Sequence, residues 1–134
     1  MTLFVDTSVW SLALRRDVAP DMPEVAAQKL ALASGQTIVS TGLVLQELLQ
    51  GFTGPKQAGS LIARFRSLPM LMPDRQDHID AATLRNVCRR QGVQAGTIDA
   101  LLAQLCIRHG LTLLTTDRDF SHIAGVEKGL KIWR

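Results

Sequence analysis

The chain has 134 residues, 46% of them hydrophobic and 4% aromatic, with 15 Lys and Arg against 12 Asp and Glu and a net charge of +3. That length predicts one domain over 1–134 with enough apolar content for its own core, and two cysteines, Cys88 and Cys106, exclude a disulfide framework and read as small core residues. No apolar run approaches the ~20 residues of a membrane-spanning helix, and "MTLFVDTSVW" lacks the basic and long apolar regions of a signal peptide, so a soluble, cytoplasmic protein with no membrane association is expected.

Along the chain, Leu3-Phe4-Val5 is a short apolar run of the buried-strand type. Ser8 is placed to cap a helix running to Leu14. Pro20 and Pro23 bracket a loop, and Glu24–Ala33 reads as a helix ending near Gly35. Thr37–Ser40 is β-rich. Leu43–Phe52 is apolar and helical, stopped by Gly51 and Gly54, and Lys56–Ser67 is a basic helix. Met70–Met72, between Pro69 and Pro73, fits either a strand or a connection. Gln76–Gln91 is a long helix stopped by Gly92, and Thr97–Arg108 is another, with Thr97 as its cap and Gly110 as its stop. Leu111–Thr115 reads as a strand, and Leu130–Trp133 fits a last one. Short apolar strands alternating with helices predict an α/β fold, a mostly parallel sheet flanked by helices.

Four acids interrupt or border these apolar patterns: Asp6 in "LFVDTS", Glu47 in "LVLQELLQ", Asp99 in "GTIDALLAQL" and Asp117 in "LTTDRDF". Each has an ordinary structural reading. Asp6 can open an Asx-type turn. Glu47 can lie on a polar stripe with Gln46 and Gln50. Asp99 suits the first turn of a helix, and Asp117 can cap a short helix over Arg118–Ile123. Together these readings weaken. Asp6 and Asp117 both directly follow strands, at the carboxyl end where open α/β sheets place their sites, and Asp99 opens the helix leading into the second of those strands. Clustered carboxylates repel one another unless a cation intervenes. Mg²⁺ suits such a place, because it takes carboxylate oxygens, keeps waters and accepts substrate phosphate. His78, His109 and His122 have no paired spacing, which argues against zinc. Hydroxyls flank both strand-end acids: Thr7 and Ser8 after Asp6, Thr115 and Thr116 before Asp117. Such groups can hold a ligand or a metal-bound water in place.

In order and spacing, "LFVDTSVW", Glu47, "GTIDALLAQLC" and "LLTTDRDF" resemble the PIN-domain ribonucleases, and best the VapC-type toxins of bacterial toxin–antitoxin pairs. The resemblance implies a PIN-like domain and Mg²⁺- or Mn²⁺-dependent cleavage of RNA. It further implies a homodimer and a cognate antitoxin. Residue by residue it makes Asp6, Glu47, Asp99 and Asp117 the acidic quartet, with Asp6, Asp99 and Asp117 on the metal. Asp119 would be a fifth acid at the edge and Ser8 a small hydroxyl near the metal; Thr116, one of the hydroxyls flanking Asp117, is a further secondary candidate.

Setting the quartet aside leaves eight acids against 15 bases. Arg64, Arg66 and Arg118, and also Arg85, Arg89 and Arg90, are then candidates for contacts to an RNA backbone. Two rival classes share the acidic pocket. One is a metal-dependent phosphohydrolase acting on small phosphorylated substrates, which typically carries a second aspartate two residues after the first, where "DTS" has a serine. The other is a non-catalytic binding module of receiver type, which needs a lysine after a late strand; none follows "LLTT".

Overall fold

The computed structural model describes residues 1–15, 21–51 and 54–134. Its strands are β1 (Leu3–Val5), β2 (Ile38–Thr41), β3 (Met70–Leu71), β4 (Thr112–Leu114) and β5 (Lys131–Ile132). They form one sheet in the order β3-β2-β1-β4-β5, and every neighbouring pair is parallel. The helices are α1 (Thr7–Ala13), α2 (Pro23–Ser34), α3 (Gly42–Gln50), α4 (Pro55–Arg66), α5 (Arg75–Arg90), α6 (Thr97–His109) and α7 (Arg118–Val126). This is the predicted α/β class. Met70–Leu71 is a strand, pairing with Ser40 and Thr41 at the sheet edge. The parts of the sequence reading that concern Pro20 and Phe52 lie outside the described residues.

The central strands read as unbroken apolar runs because both faces of the sheet are covered. Leu3, Phe4, Val5, Leu113 and Leu114 are all buried. On the α1 side, Trp10 is buried against Phe65 of α4, with ring centroids 4.9 Å apart. α6 is buried on most of its circumference through Ala100, Leu101, Leu102, Ala103, Leu105 and Cys106, as expected of a helix held inside a packed layer. Cys88 and Cys106 are free and buried, matching their reading as core residues. Burial, and secondarily the nearby charge of Asp6, pushes the Cys106 thiol up to about 12, so it is unreactive at neutral pH.

Two helix starts differ from the sequence reading. α1 is capped by Asp6, whose side chain accepts from the Val9 N–H, and Ser8 lies inside the first turn. α6 is capped by Gly96 in extended backbone, with Thr97 its first helical residue, so no side chain caps this helix. α5 instead carries a full capping box: Asp74 accepts from the Asp77 N–H and Asp77 accepts from the Asp74 N–H. Gly110 at the end of α6 and Gly92 just after α5 have φ of +64° and +79°, the left-handed backbone that makes glycine an effective stop.

Candidate metal centre

The sheet brings the acids together through register. β1 and β4 pair directly, with Val5 opposite Leu114, and the Asp6 N–H continues the ladder to the Leu114 carbonyl at 3.1 Å. The residues just past the two strands, Asp6 and Thr115, therefore face each other. The Thr115 hydroxyl donates to Asp6 Oδ2 at 2.8 Å and accepts the Asp117 N–H at 2.9 Å. Ser8 donates to Asp6 Oδ1 at 2.6 Å, and its oxygen accepts the Thr116 N–H at 3.0 Å. Asp6 is thus 5% exposed with both oxygens engaged. Burial raises its pKa above the ordinary 3.8 even though the Ser8 and Thr115 hydroxyls and the Val9 N–H pull it down; the charge of Asp117 adds to the rise.

Three more aspartates share the charge environment of Asp6. Asp117 caps α7 by accepting the Asp119 N–H at 2.9 Å, which places Asp119 in the first turn of the same helix. Asp99 projects from the first turn of α6. One carboxylate oxygen from each of Asp99, Asp117 and Asp119 lies within 4.8 Å of the others. Burial first, and then the charges of Asp117, Asp119, Asp6 and Glu47 in that order, together lift the Asp99 pKa from 3.8 to about 6. All five acids therefore share one electrostatic site. Glu47 stands on its rim, exposed on α3, where it accepts the Thr7 hydroxyl at 3.3 Å.

This donor set fits a hard divalent cation. It is all oxygen and anionic, and it sits in a place that already resists further negative charge. Two oxygens on one ion with bonds of about 2.1 Å are at most about 4.2 Å apart. Separations within 4.8 Å close to that with small side-chain adjustments.

The placement differs in detail from the sequence expectation. Asp119, expected at the edge, lies in the tight cluster with Asp99 and Asp117, while Asp6, expected on the metal, is not one of the three. Of the two threonines, Thr115 reaches Asp6 with its hydroxyl, whereas Thr116 contributes its backbone N–H to Ser8. "TTD" offers two equivalent hydroxyls, and only strand register decides which one faces β1. Arg64 and Arg66 are exposed in the last turn of α4, and Arg118 is exposed at the start of α7 beside the cluster. None of the three forms an ion pair among the described residues.

The PIN domain family matches residues 3–126. A VapC ribonuclease of Mycobacterium bovis and Ribonuclease VapC11 of Mycobacterium tuberculosis are each 30% identical over 128 residues, 92% of either chain. Among solved structures, VapBC2 from Rickettsia felis, bound to a DNA fragment from its promoter, superposes with a TM-score of 0.76 at 24% identity, covering 99% of this chain and 98% of that one. VapC20 of Mycobacterium tuberculosis, described as a sarcin-ricin loop cleaving toxin, superposes with a TM-score of 0.64 at 22% identity, covering 89% and 92%. The fold of the last two is shared.

Proposed function

The chain belongs to the PIN-domain family, in its VapC branch, and on that premise we propose that it is a divalent-metal-dependent endoribonuclease, the toxin of a toxin–antitoxin pair. The observation that carries the reading is the meeting of Asp99, Asp117 and Asp119 within 4.8 Å of one another, with the buried Asp6 at the end of β1 close enough for its charge to act on Asp99.

Asp99, Asp117 and Asp119 would hold Mg²⁺ or Mn²⁺. Bound there, the cation would activate water and offset charge on the scissile phosphate. Asp6 supplies buried negative charge near the cluster, held in one orientation by Ser8 and Thr115. Glu47, on the exposed rim and steadied by Thr7, is placed to orient the attacking water and take its proton. Arg118 at the mouth, and Arg64 and Arg66 on α4, meet the RNA backbone, drawing a polyanion toward a site that is itself acidic.

By the same reading the protein acts in the cytoplasm as a single domain over 1–134 and as a homodimer. A cognate antitoxin neutralises it, and an arginine of that partner suits the acidic cleft because guanidinium binds carboxylates in a bidentate fork. The phosphohydrolase and receiver-type alternatives have no observation in their favour beyond the acidic pocket.

The test is cleavage by the purified full chain with Mn²⁺ or Mg²⁺ and with EDTA, followed by sequencing of RNA ends after brief induction in cells. Cleavage should stop in EDTA and return with metal. Undiminished cleavage in EDTA by a clean preparation overturns the mechanism.

A further inference from the structure

We propose that Arg85 is a positioning residue for Asp99, acting through the carbonyl of Ala95. The proposal rests on the metal-dependent reading above and assigns a role to a residue outside the acidic cluster.

Asp99 is only as well placed as the first turn of α6. That turn lacks the usual anchor, because Gly96 has no side chain and Thr97 does not cap. Buried Ala100 and Leu101 hold it from the core side, and the loop from Gln91 to Ala95 holds the backbone that enters it. The front of this loop is fastened to the end of α5: the Val93 N–H donates to the Cys88 carbonyl at 2.8 Å, and the Gln91 N–H bonds to the carbonyls of Cys88 and Val87. The back of the loop is fastened differently. The half-buried Arg85 donates through Nε to the Ala95 carbonyl at 2.8 Å. Apart from the first bond of α6, from the Ala100 N–H to the Gly96 carbonyl at 2.9 Å, no other hydrogen bond among the described residues reaches Gln94, Ala95 or Gly96.

The tether lies close to the acid it would place. Ala95 adjoins Gly96, and a Cβ built on Gly96 would lie 3.7 Å from Asp99 Oδ2. The carboxylate thus folds back over the residue next to the tethered carbonyl. Movement of Ala95 and Gly96 would carry the first turn of α6, and Asp99 with it. Mutual repulsion with Asp117 and Asp119 pushes Asp99 outward whenever no cation is bound. A side-chain hydrogen bond at the base of its helix resists that push. An arginine suits the task, since it is charged at any physiological pH and donates from a rigid planar group.

Arg85 also lines a groove of about 340 Å³ together with His78, Asn86, Thr97 and Ile98. A direct contact to RNA phosphate is therefore the competing role, and the experiment separates the two. Full-length wild type, Arg85→Met and Arg85→Lys are compared in three measurements. These are Mn²⁺ titration by calorimetry without RNA, amide hydrogen exchange, and kcat and KM for RNA cleavage.

Arg85→Met should weaken Mn²⁺ binding about tenfold, as loss of a group that orients a metal ligand does. It should speed exchange in peptides covering 95–101 while leaving those of β1 and β4 unchanged. It should lower kcat and leave KM near wild type. Arg85→Lys, which keeps a donor of similar reach, should recover most of each loss. Wild-type Mn²⁺ affinity and exchange in Arg85→Met, with only KM and its salt dependence altered, would mean a phosphate contact and overturn the proposal. Faster exchange throughout the protein would also overturn it, since Arg85 would then be merely structural. If the wild-type chain binds no Mn²⁺, the metal reading of the site fails, and the exchange pattern alone still decides whether Arg85 holds the start of α6.

Discussion

Replacing Asp99 by Asn should stabilise the metal-free protein at neutral pH. The Asp99 carboxyl is lifted from 3.8 to about 6, by burial first and then by the charges of Asp117, Asp119, Asp6 and Glu47. Ionising it in the folded state costs more than in the unfolded chain. At ~1.36 kcal/mol per pKa unit the full penalty would be about 3 kcal/mol. Solvent still reaches this side chain, and screening reduces the figure to roughly half. The charge also gains about 0.5 kcal/mol from the amino end of α6, which Asn forfeits. The net expectation is a gain of about 1 kcal/mol for Asp99→Asn, or roughly 3–5 °C in Tm for a chain of this size. A raised pKa means that the folded state holds its proton more tightly, so the penalty is absent below the unfolded value of 3.8 and complete above about 6. The assay is thermal melting in EDTA at pH 7.5 and at pH 4.5. Asp99→Asn should melt higher at pH 7.5, and its advantage should shrink at pH 4.5. Saturating Mn²⁺ should reverse the order, because a ligand bound by the folded state alone stabilises it by mass action, and the Asn variant binds it less well. An Asn variant that melts lower than wild type at pH 7.5 in EDTA, or keeps the same advantage at pH 4.5, would show that Asp99 serves the helix start and not a strained charge cluster.

Asp119→Asn should lose Mn²⁺ affinity by calorimetry as severely as Asp117→Asn, since both belong to the tight cluster with Asp99; a loss confined to Asp117→Asn would place Asp119 outside the site. Thr115→Val removes a buried donor to Asp6 and an acceptor for the Asp117 N–H, so it should cost about 1–3 kcal/mol in denaturant unfolding and slow cleavage, while Thr115→Ser keeps most of both. Arg108→Ala should lower Tm without changing the rate of cleavage, because Arg108 pairs with Asp77 at 2.7 Å on the α5–α6 contact. Burial alone would push the Asp77 carboxyl up, but the Asp74 N–H and the Arg108 guanidinium hold it below 3.8. The stability it contributes is therefore present above 3.8 and lost as pH falls through its lower folded value, so wild type and Arg108→Ala should converge in acid.

Much of this protein is written locally. Leu3-Phe4-Val5 and Leu113-Leu114 can only be buried strands at that length and apolarity, and Gly35 and Gly110 stop α2 and α6 because glycine takes the left-handed backbone cheaply. The acids stand out in sequence for the same reason: a carboxylate directly after a buried run needs a partner. Local pattern misplaced the two helix starts, since Asp6 or Ser8, and Gly96 or Thr97, are equally good local candidates, and the path of the chain leaving the sheet chooses between them. It was equally silent on which hydroxyl of "TTD" meets Asp6, which depends on Val5 lying opposite Leu114, a pairing across more than a hundred residues. The central place of Asp119 follows from α7 starting where β4 ends, with Asp117 as its cap, so that its first turn faces the start of α6. The ties from Arg108 to Asp77 and from Arg85 to Ala95 had no signal at all. Sequence determines which residues need partners, because burial and charge are local demands; only the packed sheet and helices decide which partners they meet, because those contacts join segments far apart in the chain.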